Sequence, residues 1–354
     1  MTELAPAPPQ ESHHASTTST SGISEDEARL YDRQLRLWGV EAQNRMRSSH
    51  ILLCGQFRGI STEVAKNIVL AGVGRVTLLD QGEVSWEDLG SGYWLREEDI
   101  GKKRVECAAS RLQLLNPRVQ ISTHTDRQLL EDESFLNNFD LVVLVDQDAN
   151  TILKLNTLTR KLQIKFFASG SIGIHGYVFS DLLSHSYIID QQKVVNPGEA
   201  PTVVPLKIEK EYCSFQDAIK HDFSTAGSGG KKLRKKLWKK REILWSVLTL
   251  FDEQLNSDSS SSSSTTSRPT FEALRSRSNE LLPRLSISPS DLTDEVLTRF
   301  TSMIGHEFAS SCAIVGGVLG QDVLNCVGGK EEPVRNLMVF DGDLGEGGVW
   351  ALGC

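Results

Sequence analysis

An uninterrupted apolar run, Ile51-Leu52-Leu53-Cys54, leads into a turn holding Gly55 and Gly59, and that turn leads into a stretch with Val64/Ile68 and Ala65/Val69 at helical spacing. A strand that is apolar at every position must be covered on both faces, which is the situation of a strand inside a parallel sheet. Gly72 is placed to end the helix of Thr62 to Leu70, and Arg75-Val76-Thr77-Leu78-Leu79-Asp80 supplies the second strand of a βαβ unit. Further apolar runs, Leu141-Val142-Val143-Leu144-Val145 and Lys165-Phe166-Phe167-Ala168, alternate with helical stretches at 102–115 and 149–162. The predicted fold class is therefore α/β, a doubly wound, Rossmann-like, mostly parallel sheet.

Ahead of this unit Ser24 and Glu27 form a capping box, in which hydroxyl and carboxylate each satisfy a backbone donor at a helix start. Along the helix that begins there, Leu30, Gln34 and Trp38 fall on one side and Arg29, Arg33 and Arg36 on another. The reading is one helix with an apolar side and a basic stripe. Residues 1–23 lack apolar periodicity and are expected to be a disordered tail.

From roughly Gln191 the texture changes. A Gly-rich piece at 227–230, the basic run Lys231 to Arg241 and the serine tract 257–267 read as a variable insertion spanning 191–299, with a basic helix from Leu237 to Leu255 and a disordered loop. After it Phe308, Cys312, Val315 and Leu319 mark one side of a helix in which Gly316, Gly317 and Gly320 permit close backbone contact. Leu337-Met338-Val339-Phe340-Asp341 reads as another buried strand. The expected division is a discontinuous domain, 24–190 with 300–354, interrupted by the insertion.

At 354 residues, 39% hydrophobic and net charge -8, the chain can bury a full core, and its acidity argues against nucleic acid as a partner. It has no run of eighteen apolar residues and no apolar secretory segment near Met1, so neither a membrane nor export is expected, and the chain is read as intracellular. Its six cysteines are scattered without a C-x-x-C pair or a Cys/His cluster, which points away from disulfides and metal. His175 and His306 lack partners at metal-ligand spacing and are read as structural. The Lys231–Arg241 run is either a nuclear import signal or the solvated face of a helix.

A nucleotide site on this fold needs glycines where backbone approaches phosphate, a helix N-terminus aimed at negative charge, and an acid at the end of the second strand for the ribose. Asp80, 21 positions after Gly59, fits the acid. The glycine turn fits badly: counted back from Glu63, the three positions of G-x-x-G-x-G are Gln56, Gly59 and Ser61, and Gln56 and Arg58 would crowd a phosphate. Gly59, Ser61 and Asp80 are thus the candidates for a degenerate nucleotide site. The alternative is a plain βα corner with Asp80 as a structural acid.

The segment Tyr31-Asp32-Arg33-Gln34-Leu35-Arg36-Leu37-Trp38-Gly39, then Ala42-Gln43, Glu63-Val64-Ala65-Lys66-Asn67-Ile68-Val69-Leu70-Ala71-Gly72-Val73 and Val76-Thr77-Leu78-Leu79-Asp80, resembles the N-terminal half of activating enzymes for ubiquitin and ubiquitin-like modifiers. Asn116-Pro117, Phe139-Asp140, Gly173-Ile174-His175-Gly176-Tyr177, Ala313-Ile314-Val315-Gly316-Gly317 and Phe340-Asp341-Gly342 continue the likeness over about 24–190 and 300–354. The length, and the lack of paired zinc cysteines, resemble the small subunit of a heterodimeric SUMO-activating enzyme. The small subunit for a Nedd-type modifier and a self-sufficient sulfur-carrier adenylating enzyme are the rivals.

The resemblance implies a ThiF-type fold and ATP-dependent adenylation of the SUMO C-terminus, with thioester transfer to a cysteine of the catalytic large subunit. It implies that ATP and magnesium are held mainly by that partner, with none intrinsic to this chain, and that an arginine of the N-terminal helix reaches across. By position that residue is Arg33, with Arg36 as the backup. The resemblance leaves Cys213 without a nucleophilic role, implies an inactive isolated chain, and favours the nucleus as its location, with the cytoplasm as the alternative.

Overall fold

The computed structural model describes residues 23–193, 202–224, 241–257 and 268–353. Strands β1 (His50–Gly55), β2 (Arg75–Leu79), β3 (Gln120–His124), β4 (Leu141–Val145), β5 (Lys165–Ile172) and β6 (His175–Asp181) are joined by β9 (Leu337–Asp341) and β10 (Glu346–Trp350) in one eight-stranded sheet, ordered β10-β9-β6-β5-β4-β1-β2-β3. The five strands β3-β2-β1-β4-β5 run parallel, and β6, β9 and β10 are added antiparallel. Two further strands, β7 (Ser184–Lys193) and β8 (Thr202–Glu211), form a separate antiparallel ribbon that no sequence signal had singled out.

Alternation along the strands sends side chains into two cores. Ile51, Leu53, Val76, Leu78, Leu141 and Val143 pack with α3 (Gly59–Leu70), α4 (Arg104–Gln113) and the C-terminal helix α9 (Ala309–Gly328). Leu52, Cys54, Val142, Leu144 and Phe166 face the opposite layer, made by α5 (Ala149–Lys161), α6 (Glu242–Asn256), α7 (Phe271–Arg284) and α8 (Asp294–Met303). Helix α9 is long and apolar enough to span a membrane by composition, yet two-thirds of it is buried within the fold. Its glycines explain the packing: a Cβ at Gly316 would fall 2.9 Å from the Ile60 carbonyl oxygen, and one at Gly320 2.9 Å from Asn67 Nδ2, so α9 can lie directly on α3 only without those side chains.

Two readings change. The N-terminal helix is not continuous: α1 (Glu25–Leu30) ends at Tyr31, whose backbone (φ -102°, ψ 16°) is not helical, and α2 (Asp32–Ser48) is kinked at Gly39 (φ 81°, ψ 167°). Leu30, expected on an apolar side, is 59% exposed, because the break at Tyr31 takes it off the line of Trp38, which packs against the core. Beyond 240 the chain is also more deeply built in than its composition suggests. Every residue from Ile243 to Phe251 on α6 is buried, and α7 and α8 add Leu274, Leu281, Leu297 and Phe300 to the same core as β4 and β5. Of the tail expected over 1–23 only Ile23, which is buried, is described; the basic run up to Lys240 lies outside the described residues, as does the serine tract apart from Ser257.

Candidate functional site

The strand order reverses between β1 and β4, and a cleft of about 520 Å³ opens at the carboxyl ends of the strands there, where ligands bind in open α/β sheets. Its floor is the turn between β1 and α3. Gly55 takes φ 108°, and a side chain there would overlap the carbonyl of Val145. Gln56 is fixed by its N–H to Val145 O (3.0 Å) and its Nε2 to Asp146 O (3.0 Å), and the Ser61 hydroxyl donates to Gln56 O (2.7 Å). The Phe57 ring is buried where a glycine turn would leave room.

Asp80 is a structural acid. Its Oδ2 accepts from Phe57 N (2.9 Å) and Arg104 Nε (2.7 Å), and its Oδ1 from Gly82 N (2.8 Å). Arg104 also reaches Asp88 (3.2 Å), while Arg58 Nε pairs with Asp88 Oδ1 at 2.8 Å. Both carboxyls are almost wholly buried, so the two guanidinium groups neutralise charges that would otherwise be costly.

At the N-terminus of α3 the first amide, Gly59 N, donates to Glu307 Oε2 (3.3 Å), which also accepts from the Ser91 hydroxyl and lies 3.6 Å from Arg58 Nε. The Glu307 side chain is only 4% exposed. An amide at a helix start together with a guanidinium is what a phosphate would require. Here the chain's own carboxylate takes both. With Asp80 saturated and this anion position filled, the residues present do not fit a nucleotide.

Glu307 has a second acid against it. Asp146, held at φ 51°, accepts from Ser171 N (2.7 Å) and Ser171 Oγ (3.2 Å) through Oδ1. Its Oδ2 and Glu307 Oε1 are both buried without a hydrogen-bond partner among the described residues. Burial, and then the Glu307 charge, push the Asp146 carboxyl up to about 8, so this carboxyl keeps its proton at neutral pH.

The remaining candidates lie elsewhere. Arg33 is exposed on the first turn of α2 and makes no hydrogen bond or ion pair among the described residues. Arg36 is tied to Asp32 (Nη2 to Oδ2, 3.1 Å). Cys213 packs against the core and donates to Leu352 O (2.8 Å) while Asn336 Nδ2 donates to it (2.8 Å), an arrangement that holds the thiol in place. His306 bonds Arg268 (2.9 Å). His175, buried, accepts from Gly342 N (3.1 Å) and stands near Asp341 and Asp343, a grouping of metal-ligand types that sequence spacing did not disclose. Its Nδ1 is taken by that amide and Asp343 by Arg299. Glu307, Asp146, Asp88 and Arg104 were all missed by sequence reasoning, since they come from separate segments and match no motif spacing.

The ThiF family model matches residues 31–346. The chain belongs to the ThiF family. Among its curated relatives, SUMO-activating enzyme subunit 1 of Bos taurus is 36% identical over 94% of this chain and 97% of that protein, and the DNA damage tolerance protein RHC31 of Saccharomyces cerevisiae is 34% identical over 90% and 95%. Among solved structures, E. coli MccB with MccA-N7isoASN superposes with TM-score 0.55 at 13% identity, covering 94% of this chain and 73% of that one, a likeness of fold. Within this ThiF-family chain the anion position of the switch-point cleft is thus taken by Glu307, and Arg33 stands outside the cleft.

Proposed function

We propose that this chain is the small subunit of a heterodimeric SUMO-activating enzyme, that it supports ATP-dependent adenylation of the SUMO C-terminus, and that it is inactive alone. The observation that carries the reading is the Glu307 carboxylate on Gly59 N, which occupies the anion position at the switch point. The relatives named SUMO-activating enzyme subunit 1, matched nearly end to end, support the choice of modifier.

In this reading ATP and magnesium lie in the catalytic large subunit, where the modifier is adenylated before passing as a thioester to that subunit's cysteine. Arg33 enters the partner's site. Its guanidinium is a planar, permanently charged fork suited to phosphate oxygens, and no carboxylate among the described residues pairs with it. Arg36, paired with Asp32, is the weaker candidate. The exposed apolar side chains Phe308, Ile314 and Val318 on and beside α9, with Trp86 and Tyr93, offer a surface for the partner.

Reconstitution tests this. SUMO-dependent ATP–pyrophosphate exchange should be absent with the isolated chain and appear with the large subunit; exchange by the chain alone would overturn the proposal. The basic run at 231–241 further supports placing the chain in the nucleus. A fluorescent fusion with those lysines and arginines changed to glutamine should leave the nucleus, and unchanged import would refute that placement.

A further inference from the structure

We propose that Tyr31 is the positioning residue for Arg33: its ring, locked into a socket made by Asn116 and Gly72, sets where the arginine is presented. The inference rests on the reading of Arg33 given above.

Tyr31 lies two residues before Arg33 and is the non-helical joint between α1 and α2. It is 6% exposed, whereas the residues after it, Asp32 and Arg33, are exposed. Its hydroxyl accepts from Asn116 Nδ2 (2.8 Å), and the same amide donates to Val69 O (3.0 Å) near the end of α3. One asparagine thereby ties the tyrosine to the helix that packs on the sheet. The socket is floored by Gly72, where φ is +80° and a Cβ would come 2.6 Å from Tyr31 Cζ, so only glycine both adopts that backbone and leaves room for the ring.

The joint is braced from the other side. Glu27 on α1 accepts from Arg47 Nη1 (3.1 Å) and lies 3.6 Å from Arg118 Nη1. At the far end of the segment Gly39 breaks α2 and Trp38 rests on the core. Residues 32–37 are therefore a short helical arm held at Tyr31 and Trp38. Arg33 has no side-chain partner among the described residues, so its location depends on the backbone, and the nearer anchor is Tyr31.

The test is a double-mutant cycle in the reconstituted heterodimer, using Tyr31→Phe, which keeps the ring and loses only the hydroxyl, and Arg33→Ala. Assembly is checked by size-exclusion chromatography and activity by SUMO-dependent ATP–pyrophosphate exchange. Tyr31→Phe should lower kcat roughly tenfold with assembly unchanged, the scale expected for a displaced catalytic group, and should have almost no further effect when Arg33 is already alanine. Asn116→Asp, which replaces the amide donor, should reproduce the loss. Equal losses in both backgrounds would make Tyr31 merely structural and overturn the proposal, as would full activity of Tyr31→Phe alongside an impaired Arg33→Ala. Full activity of Arg33→Ala itself would instead remove the reading beneath it.

Discussion

The backbone N–H of Gly59 points at Glu307 Oε2, 3.3 Å away, so the amide that opens α3 is satisfied by the protein's own carboxylate. A nucleotide would have to displace a buried acid from a helix N-terminus and from Arg58. Titration of the isolated chain with magnesium-ATP, followed calorimetrically, should show no saturable binding below about 1 mM. Submillimolar affinity would mean the cleft is a working nucleotide site.

Arg104 joins two buried carboxyls, Asp80 at 2.7 Å and Asp88 at 3.2 Å. Removing the guanidinium leaves Asp80 without its counter-ion and Asp88 with Arg58 alone, in a site with little access to water. Arg104→Ala should cost about 3–5 kcal/mol of stability in urea unfolding, and a change under about 1 kcal/mol would show that the pair behaves as a surface ion pair.

The Asp146–Glu307 contact makes stability depend on pH. The Asp146 carboxyl is raised by burial and by Glu307 to about 8, against about 4 for an unfolded aspartate. Between those values the folded chain holds a proton that the unfolded chain has released, so stability is greatest at the acid end and declines as pH rises through about 8. Arg58 faces the pair and favours its ionised form, which limits the effect. Thermal unfolding from pH 7 to 8.5, above the range in which the buried histidines lowered by desolvation oppose it, should show Tm falling with pH, and Asp146→Asn should flatten that slope. Asp322, raised by burial to about 7, contributes in the same sense and should keep Tm falling with pH, less steeply, in the variant. An unchanged slope in Asp146→Asn would contradict the raised Asp146 carboxyl.

Much of the scaffold was legible because burial on both faces leaves a strong mark. Ile51–Cys54, Leu141–Val145 and Leu337–Asp341 could be read as strands from their unbroken apolar runs, and Gly316 and Gly320 as contact glycines, whereas Gly317, read the same way, faces open space. The site was not legible. Asp80 signals an acid at a strand end in either role, and only the geometry shows it bonded to Phe57 N and Arg104. Glu307 lies 248 positions from the amide it caps, and chain spacing carries no trace of such a contact. The break at Tyr31 was hidden because Leu30, Gln34 and Trp38 keep helical spacing across a residue that is not helical.

Close approach of α9 to α3 gives a further test. Gly316→Ala would place a methyl 2.7 Å from Glu63 Cβ and 2.9 Å from Ile60 O, so the helices must separate. The expected cost is about 1–3 kcal/mol, measured by urea unfolding. Gly317 faces open space, and Gly317→Ala should be neutral or mildly stabilising because alanine favours the helix. Equal effects at the two glycines would show that helix propensity, and not contact, governs both.

The central claim is that this chain acts through an arginine offered to another subunit. It is tested most directly by SUMO-dependent ATP–pyrophosphate exchange in the heterodimer carrying Arg33→Ala. The predicted result is a fall of about a hundredfold or more in exchange, with the complex assembling as before and Arg36→Ala close to wild type. An undiminished rate from a fully assembled Arg33→Ala heterodimer would contradict it.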